Sequence, residues 1–344
     1  MKICVISSTV LPCRALDDPQ NGYNGLEQIV WSMASGLARR GHEVLLVAPK
    51  GSTAPSGVAL HETTLGESEQ AAYSGYWQRL PDYQVVIDHS WQKWSYVLKI
   101  EGKLTSPVLG VVHAPVHTMF GSPPPVLLPS IVAISQDQAA HVSELWGVPA
   151  RVAYNGIDLD FYRANGAARS KRYLFLARMS KIKGPHLAVD LARSLRFELD
   201  LVGDDIITGE PDLAQRMRLL AKNNITYHGG VSRARTVEFF SQAKALLHPA
   251  FAFREPFGLS IIEAQACGVP VIASDHGALR ETIKHGETGF VVKTVAEMEG
   301  LISVDAVNTI HADACRANAE RFSLAKMIDR YEALCTEALD TGGW

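Results

Sequence analysis

The stretch FREPFGLSIIEAQACGVP, residues 253–270, sets Glu255 directly before a proline and Glu263 inside an apolar run. Pro256 and Gly258 punctuate it. Gly268 and Pro270 close it, so the spacing predicts a helix from about Gly258 through Cys267. The first turn of such a helix offers free backbone N–H groups and the positive end of its dipole, which together favour an anion. Glu263 follows Leu259 by one turn, on the same face. A phosphate at the Leu259 N–H would leave Glu263 within reach of a neighbouring hydroxyl, and Glu255 faces the same space from just before the turn. A carboxylate that accepts from two vicinal hydroxyls holds a sugar. The plainer alternative makes Glu263 a surface charge and Glu255 a favourable helix-start charge worth about 0.3–1 kcal/mol. Ile261, Ile262, Ala264 and Ala266 leave little room for a solvated face at Glu263.

Other strand ends carry further candidates, because parallel α/β sheets bind ligands at the carboxyl ends of their strands. After YLFLA comes RMSKIKGPH, where Arg178 and Lys183 flank a short loop before a helix that starts near Gly184. Arginine as a fork and lysine as a point charge suit a diphosphate; ordinary solvated charge is the alternative. His113 ends PVLGVV, with His117 four residues on, and His89 follows QVVID; such positions suit ligand contact or proton transfer. Gly22 and Gly25 precede a helix that begins near Leu26, where glycine lets backbone approach a ligand. This is not the GxGxxG of a dinucleotide site.

The elements that must position these residues are short, apolar and β-branched. KICVISS, EVLLVAP, VALHET, QVVIDH, PVLGVVH, SIVAIS and ARVAYNG read as strands, with helices over Leu26–Arg40, Trp91–Ile100 and Gln136–Trp146. After DLDFYRANGAARSKR the pattern restarts with YLFLAR, ELDLVG, ITYHGG, ALLHPA, VPVIAS and TGFVV. Continuous apolar runs rather than strict alternation mark parallel strands covered on both faces. The alternation with helices gives two doubly wound α/β halves that meet near residues 160–171. GSPPPVLLPS (Gly121–Ser130) is a proline-rich loop. The last helical stretch, about Leu324–Ala338, has no strand after it.

The chain has 344 residues, 47% of them hydrophobic and 20% charged, with net charge −3. That balance gives no sign of a nucleic-acid or membrane-surface protein. No two of the five cysteines, Cys4, Cys13, Cys267, Cys315 and Cys335, have metal-ligand spacing, and the sequence reads them as reduced thiols of a cytoplasmic protein. MKICVISSTVLPCRA reads as a first strand rather than a secretory signal. No stretch reaches the roughly 18 apolar residues of a membrane span.

Together, EPFGLSIIEAQACGVPVIAS, ARMSKIKG, YNGLEQIV, VAYNGID and HGETGFVV resemble, in order, the signature segments of the family 4 glycosyltransferases. The resemblance covers nearly the whole chain. It implies a GT-B fold: two Rossmann-like domains facing across a cleft that holds the active site. Residues 1–162 would bind the acceptor and 163–322 a nucleotide-diphosphate sugar, and 323–344 would cross back to the first domain. It further implies transfer of a hexose with retention of configuration, no bound metal and no cofactor beyond the donor itself. Carried over by motif, Arg178 and Lys183 neutralise the leaving diphosphate. Glu255 contacts the donor sugar and Glu263 the ribose. Phe257, Gly258 and Leu259 bind through their amides, Gly25 belongs to a loop that closes over the phosphate, and His113 contacts the sugar. UDP-glucose is the first candidate donor, with GDP-mannose and UDP-N-acetylglucosamine next. The acceptor is a small molecule, glycan or lipid-linked hydroxyl.

The chain departs from the family pattern in places. Asn24 stands for the first of two glycines, which would suit a left-handed backbone. RMSKIKG lacks the common Pro-Glu and adds Lys181. HPAFAFREPFG is long, so Phe251, Phe253 and Arg254 would touch sugar or acceptor, or pack at the rim. SWQKWSYVLK (Ser90–Lys99) reads as core aromatics with solvated lysines, a face toward an acceptor or a membrane being the alternative. DD at 17–18 and GDD at 203–205 resemble metal-binding carboxylates, and Arg233 and Arg235 read as surface charges at a helix start. The rival functions are a nucleotide-sugar epimerase of GT-B fold and a non-catalytic nucleotide-sugar-binding protein. A nicotinamide dehydrogenase is disfavoured by the missing GxGxxG.

Overall fold

The computed structural model describes residues 1–115, 130–164, 169–205 and 210–344. His117 and all of the proline-rich stretch but Ser130 lie outside the described residues. The chain divides into two compact units. The first comprises Met1–Leu16, Asn24–Gly156 and Leu324–Trp344; the second comprises Asp17–Tyr23 and Ile157–Ser323.

The first unit is built on a seven-stranded sheet of β1 (Lys2–Ile6), β2 (Glu43–Pro49), β3 (Val58–Thr63), β4 (Val85–Asp88), β5 (Val108–Val112), β6 (Ile131–Ala133) and β7 (Ala150–Val152). The strand order is β3-β2-β1-β4-β5-β6-β7, parallel at every pairing. All four residues of β4 and all five of β5 are buried, as expected of strands covered on both faces. Helices α1 (Leu26–Arg39), α2 (Glu69–Tyr76), α3 (Ser95–Ile100) and α4 (Gln136–Trp146) connect them.

The helix expected over Trp91–Ile100 forms only in its last part. Glu69 accepts the Trp91 and Gln92 N–H groups, and Asp88 accepts the Ser90 N–H at 2.8 Å. Those donors are therefore bound to carboxylates before a helix can take them. Lys93, expected to be solvated, is 2% exposed, and its ammonium donates to the Ser90 carbonyl.

The terminal helix α12 (Leu324–Thr341) belongs to the first unit. Met327, Ile328, Tyr331, Leu334, Cys335 and Ala338 make its buried stripe at helical spacing. It packs on α1 at Gly36, where a Cβ would lie 2.6 Å from Ile328 Cγ1. Arg40 to Glu332 at 2.8 Å and Arg151 to Glu337 at 2.7 Å add polar contacts.

The second unit carries a six-stranded sheet of β8 (Tyr173–Leu176), β9 (Leu199–Val202), β10 (Ile225–Gly229), β11 (Leu246–His248), β12 (Val271–Ser274) and β13 (Gly289–Val292). Its order is β10-β9-β8-β11-β12-β13, again parallel throughout. Its helices are α5 (Pro185–Leu195), α6 (Pro211–Leu220), α7 (Arg233–Gln242), α8 (Leu259–Ala266), α9 (Leu279–Thr282), α10 (Val295–Ser303) and α11 (Ala312–Ala319).

The strand order reverses between β8 and β11, so the loops after these two strands emerge side by side at a topological switch point. The break read at 160–171 falls inside this unit: Ile157 donates its N–H to the Phe322 carbonyl at 3.0 Å, so the chain enters and leaves the unit together. The five cysteines are buried and unpaired. Among the described residues no helix is long and apolar enough to cross a membrane.

Candidate active site

The loop after β8 carries Arg178 and ends in a short 3-10 turn, Lys181–Lys183. Gly184 follows at φ +77°, and a Cβ there would stand 2.2 Å from the Pro249 carbonyl oxygen, so only glycine lets the β8 and β11 loops approach this closely. That approach brings together residues far apart in sequence. The Lys183 ammonium reaches Glu255 Oε2 at 2.6 Å, and His248, the last residue of β11, reaches the same oxygen through Nε2 at 3.1 Å. The Phe253 ring centroid lies 4.1 Å from the ammonium. A cation over an aromatic face is attracted to it.

The backbone of Glu255 is fixed as well. Its carbonyl accepts the Ala278 N–H at 2.9 Å, and Gly277, at φ +81°, leaves no room there for a Cβ.

Burial would push the Glu255 carboxyl up, but the Lys183 charge and the His248 hydrogen bond outweigh it and hold the group well below the usual carboxylate range. Burial lowers Lys183, with Glu255 opposing that and the nearby Arg178 charge adding to it. His248 escaped the sequence reading. Its place at the end of a strand was the available signal, the same one that marked His113.

Helix α8 starts as expected. Gly258 caps it at φ +86°, and the first-turn amides of Leu259 and Ser260 precede the first intrahelical bond, from Ile261 to Gly258. The Phe257 side chain is buried edge-on against Phe322 at 5.5 Å, so it offers a ligand backbone rather than ring. Phe251 packs on the apolar core of the unit.

Glu263 lies at the centre of a buried polar network. Its Oε1 accepts from the Tyr162 hydroxyl at 2.8 Å and from Arg233 Nη1 at 2.7 Å; its Oε2 accepts from the Tyr23 hydroxyl at 2.7 Å. Arg233 is not the surface charge the sequence implied: it is 1% exposed and among the largest fully buried side chains. Ser232 caps α7, so Arg233 opens that helix, beside α8 and its buried carboxylate. A charge as buried as Glu263 requires a partner. Arg235 is exposed, as expected. Burial raises the pKa of both tyrosines, which keeps their hydroxyls protonated as donors.

In the first unit His113 follows β5 and His89 follows its neighbour β4. His89 Nδ1 lies 2.7 Å from His113 Nε2, with the rings stacked at 5.0 Å. Burial and the Lys93 charge push His113 down to about 3. Burial, His113 and Lys93 lower His89 as well. Both rings are therefore neutral near pH 7. Gly25 caps α1 at φ −98°, and Asn24 is absent from the residues at positive φ. The asparagine thus stands where no left-handed backbone is needed. Among the described residues no group of three or more His, Cys, Asp or Glu is placed to hold a metal ion.

Residues 23–161 match the family described as Glycosyltransferase Family 4, and residues 160–317 match Glycosyl transferases group 1. The chain belongs to glycosyltransferase family 4. The family 4 chain is 28% identical over 236 residues to a D-inositol 3-phosphate glycosyltransferase of Xylanimonas cellulosilytica, a match covering 59% of this chain and 56% of that one. It spans about half the length of the curated relatives it matches. Among solved structures it is similar to AviGT4, a glycosyltransferase involved in avilamycin A biosynthesis, with TM-score 0.73 and 24% identity over 100% of this chain and 99% of that one. It is also similar to Anabaena HepE in complex with UDP-glucose, with TM-score 0.74 and 18% identity over 99% and 100%. The likeness to these structures is one of fold, the two Rossmann-like domains of the GT-B type, and within it the family 4 chain sets the EPFGL segment at the β8/β11 switch point.

Proposed function

We propose that the protein transfers a hexosyl group from a nucleoside-diphosphate sugar to a hydroxyl acceptor, with retention of configuration and without a bound metal. The observation that carries this is the Lys183–Glu255 pair, 2.6 Å apart, on the two loops that flank the switch point, just ahead of the α8 N-terminus. Bond breaking at the anomeric carbon puts the electron pair on a β-phosphate oxygen. Lys183, held on Glu255, and the amides of Leu259 and Ser260 are in place before that charge develops, and the nearby Arg178 adds its charge, which is electrostatic stabilisation of the transition state. Lys183 and His248 both engage Oε2 of Glu255, and Oε1 takes a sugar hydroxyl. The acceptor oxygen bonds to the anomeric carbon on the face the phosphate leaves, and its proton passes to that phosphate.

UDP-glucose is the first donor to test, because HepE, which shares the fold, binds it. GDP-mannose and UDP-N-acetylglucosamine follow. The acceptor would bind to the first unit, where His113 stands at a strand end. A cytoplasmic location fits a nucleotide-sugar donor.

Thermal shift with UDP, GDP, ADP and NAD tests the donor site. A ligand at about a hundred times its Kd adds roughly 2.7 kcal/mol of stability. One diphosphate should stabilise the wild type, and the shift should shrink in Lys183→Ala. If none does, or only NAD does, the reading fails. An inverted anomer in the product would overturn the stereochemical part alone.

A further inference from the structure

The two oxygens of Glu263 are held by different kinds of group. Oε1 is bound to the buried framework: Tyr162 and Arg233 are both 1% exposed, and they are joined to each other at 2.6 Å. Oε2 takes only the Tyr23 hydroxyl among the described hydrogen bonds, at 2.7 Å. Tyr23 ends the short segment Asp17–Tyr23, which lies on the second unit with Asp17, Pro19, Gln20 and Gly22 exposed. The segment is held there by a bridge between Gly22 and Ser232, by the Arg233 N–H on the Asn21 carbonyl at 2.9 Å, and by the Tyr23 ring 4.8 Å from the Arg233 guanidinium. Asn21 anchors the segment in a buried position, but a short segment with most of its other residues exposed opens more readily than the buried strands of the unit.

A phenol hydroxyl donating to a carboxylate makes the same bond as a ribose hydroxyl would. We infer that Tyr23 holds the place of a ribose hydroxyl on Glu263 Oε2, and that a bound nucleoside diphosphate displaces it, so Tyr23 sets the affinity for the donor. This inference rests on the donor site proposed above. In the wild type the ribose gains at Oε2 only what Tyr23 gives up. Without the phenol hydroxyl, Oε2 is left open and the ribose takes its bond outright. Arg233 and Tyr162 keep Oε1 fixed throughout, so the carboxylate does not turn away.

Calorimetric titration of wild type and Tyr23→Phe with UDP and 2′,3′-dideoxy-UDP tests this, with the GDP and ADP pairs run alongside. The expected result is that Tyr23→Phe binds the ribonucleotide about tenfold more tightly, the equivalent of one hydrogen bond to a charged group. Its affinity for the dideoxy analogue should stay as in the wild type. Equal change for both analogues, or weaker binding of the ribonucleotide, overturns the inference. Failure of wild type to bind any of the diphosphates instead overturns the donor site itself. Hydrogen exchange on the wild type gives an independent reading: the Arg233 amide, bonded to Asn21, should exchange faster with the nucleotide bound. Unchanged or slower exchange there would mean that the segment stays in place.

Discussion

Lys183 Nζ lies 2.6 Å from Glu255 Oε2, and the two side chains keep 11% and 9% of their surface exposed. Each charge offsets the cost of burying the other, so removing Lys183 leaves the buried Glu255 carboxylate with His248 but without its lysine cation. Lys183→Met should cost roughly 3–5 kcal/mol of stability, as expected when one partner of a buried pair is lost. Lys183→Met with Glu255→Gln should recover part of that loss. Urea denaturation of the four proteins of the cycle measures it, and strictly additive losses would show that the pair is not coupled.

The pair also sets an acid dependence. Burial raises Glu255, but Lys183 and His248 prevail, and the folded pKa falls below the usual 4.5. A depressed carboxyl contributes stability that is present above pH 4.5 and is lost as the pH falls below it toward the folded value. Urea midpoints between pH 7 and pH 3 should fall more steeply below pH 4.5 in the wild type than in Glu255→Gln.

The His89–His113 pair acts in a neighbouring window. His113 is lowered from 6.5 to about 3, so between those values the unfolded chain binds a proton that the folded one does not. Stability therefore declines as the pH drops from 6.5 to 3, by up to about 1.4 kcal/mol per pH unit for a group fully in that regime. His113→Asn should flatten the decline between pH 6 and pH 4; an unchanged slope would mean that the ring is protonated in the folded protein.

Two arginines of one short motif should behave in opposite ways. Arg233 is 1% exposed and paired with Glu263, whereas the Arg235 side chain is 58% exposed and paired with Glu238. Arg233→Met should cost roughly 3–5 kcal/mol by stranding Glu263. Arg235→Ala should change stability by no more than about 0.5 kcal/mol. Chemical denaturation separates them, and equal effects would contradict the burial of Arg233.

The sequence by itself determined the elements and the loops that carry chemistry. Runs such as QVVIDH and VPVIAS read as strands covered on both faces, and Gly258 and Gly268 mark the two ends of α8, where the structure then puts both at positive φ. Local rules of this kind need no knowledge of what lies across the fold. They could not show that Lys183 meets Glu255, because that contact depends on β8 lying beside β11 and on Gly184 letting Pro249 approach. Nor could they show that Arg233 turns inward. SRART has the composition of a solvated helix start, and only the packing of α7 beside α8 places a buried carboxylate where the guanidinium must meet it. Lys93 repeats the point: a lysine in a helix-like run is solvated by default, and Asp88 and Glu69 draw it inside because the fold gathers their charges around it. Spacing along the chain sets local geometry, whereas a charge's partner is chosen by neighbours that only the tertiary structure supplies.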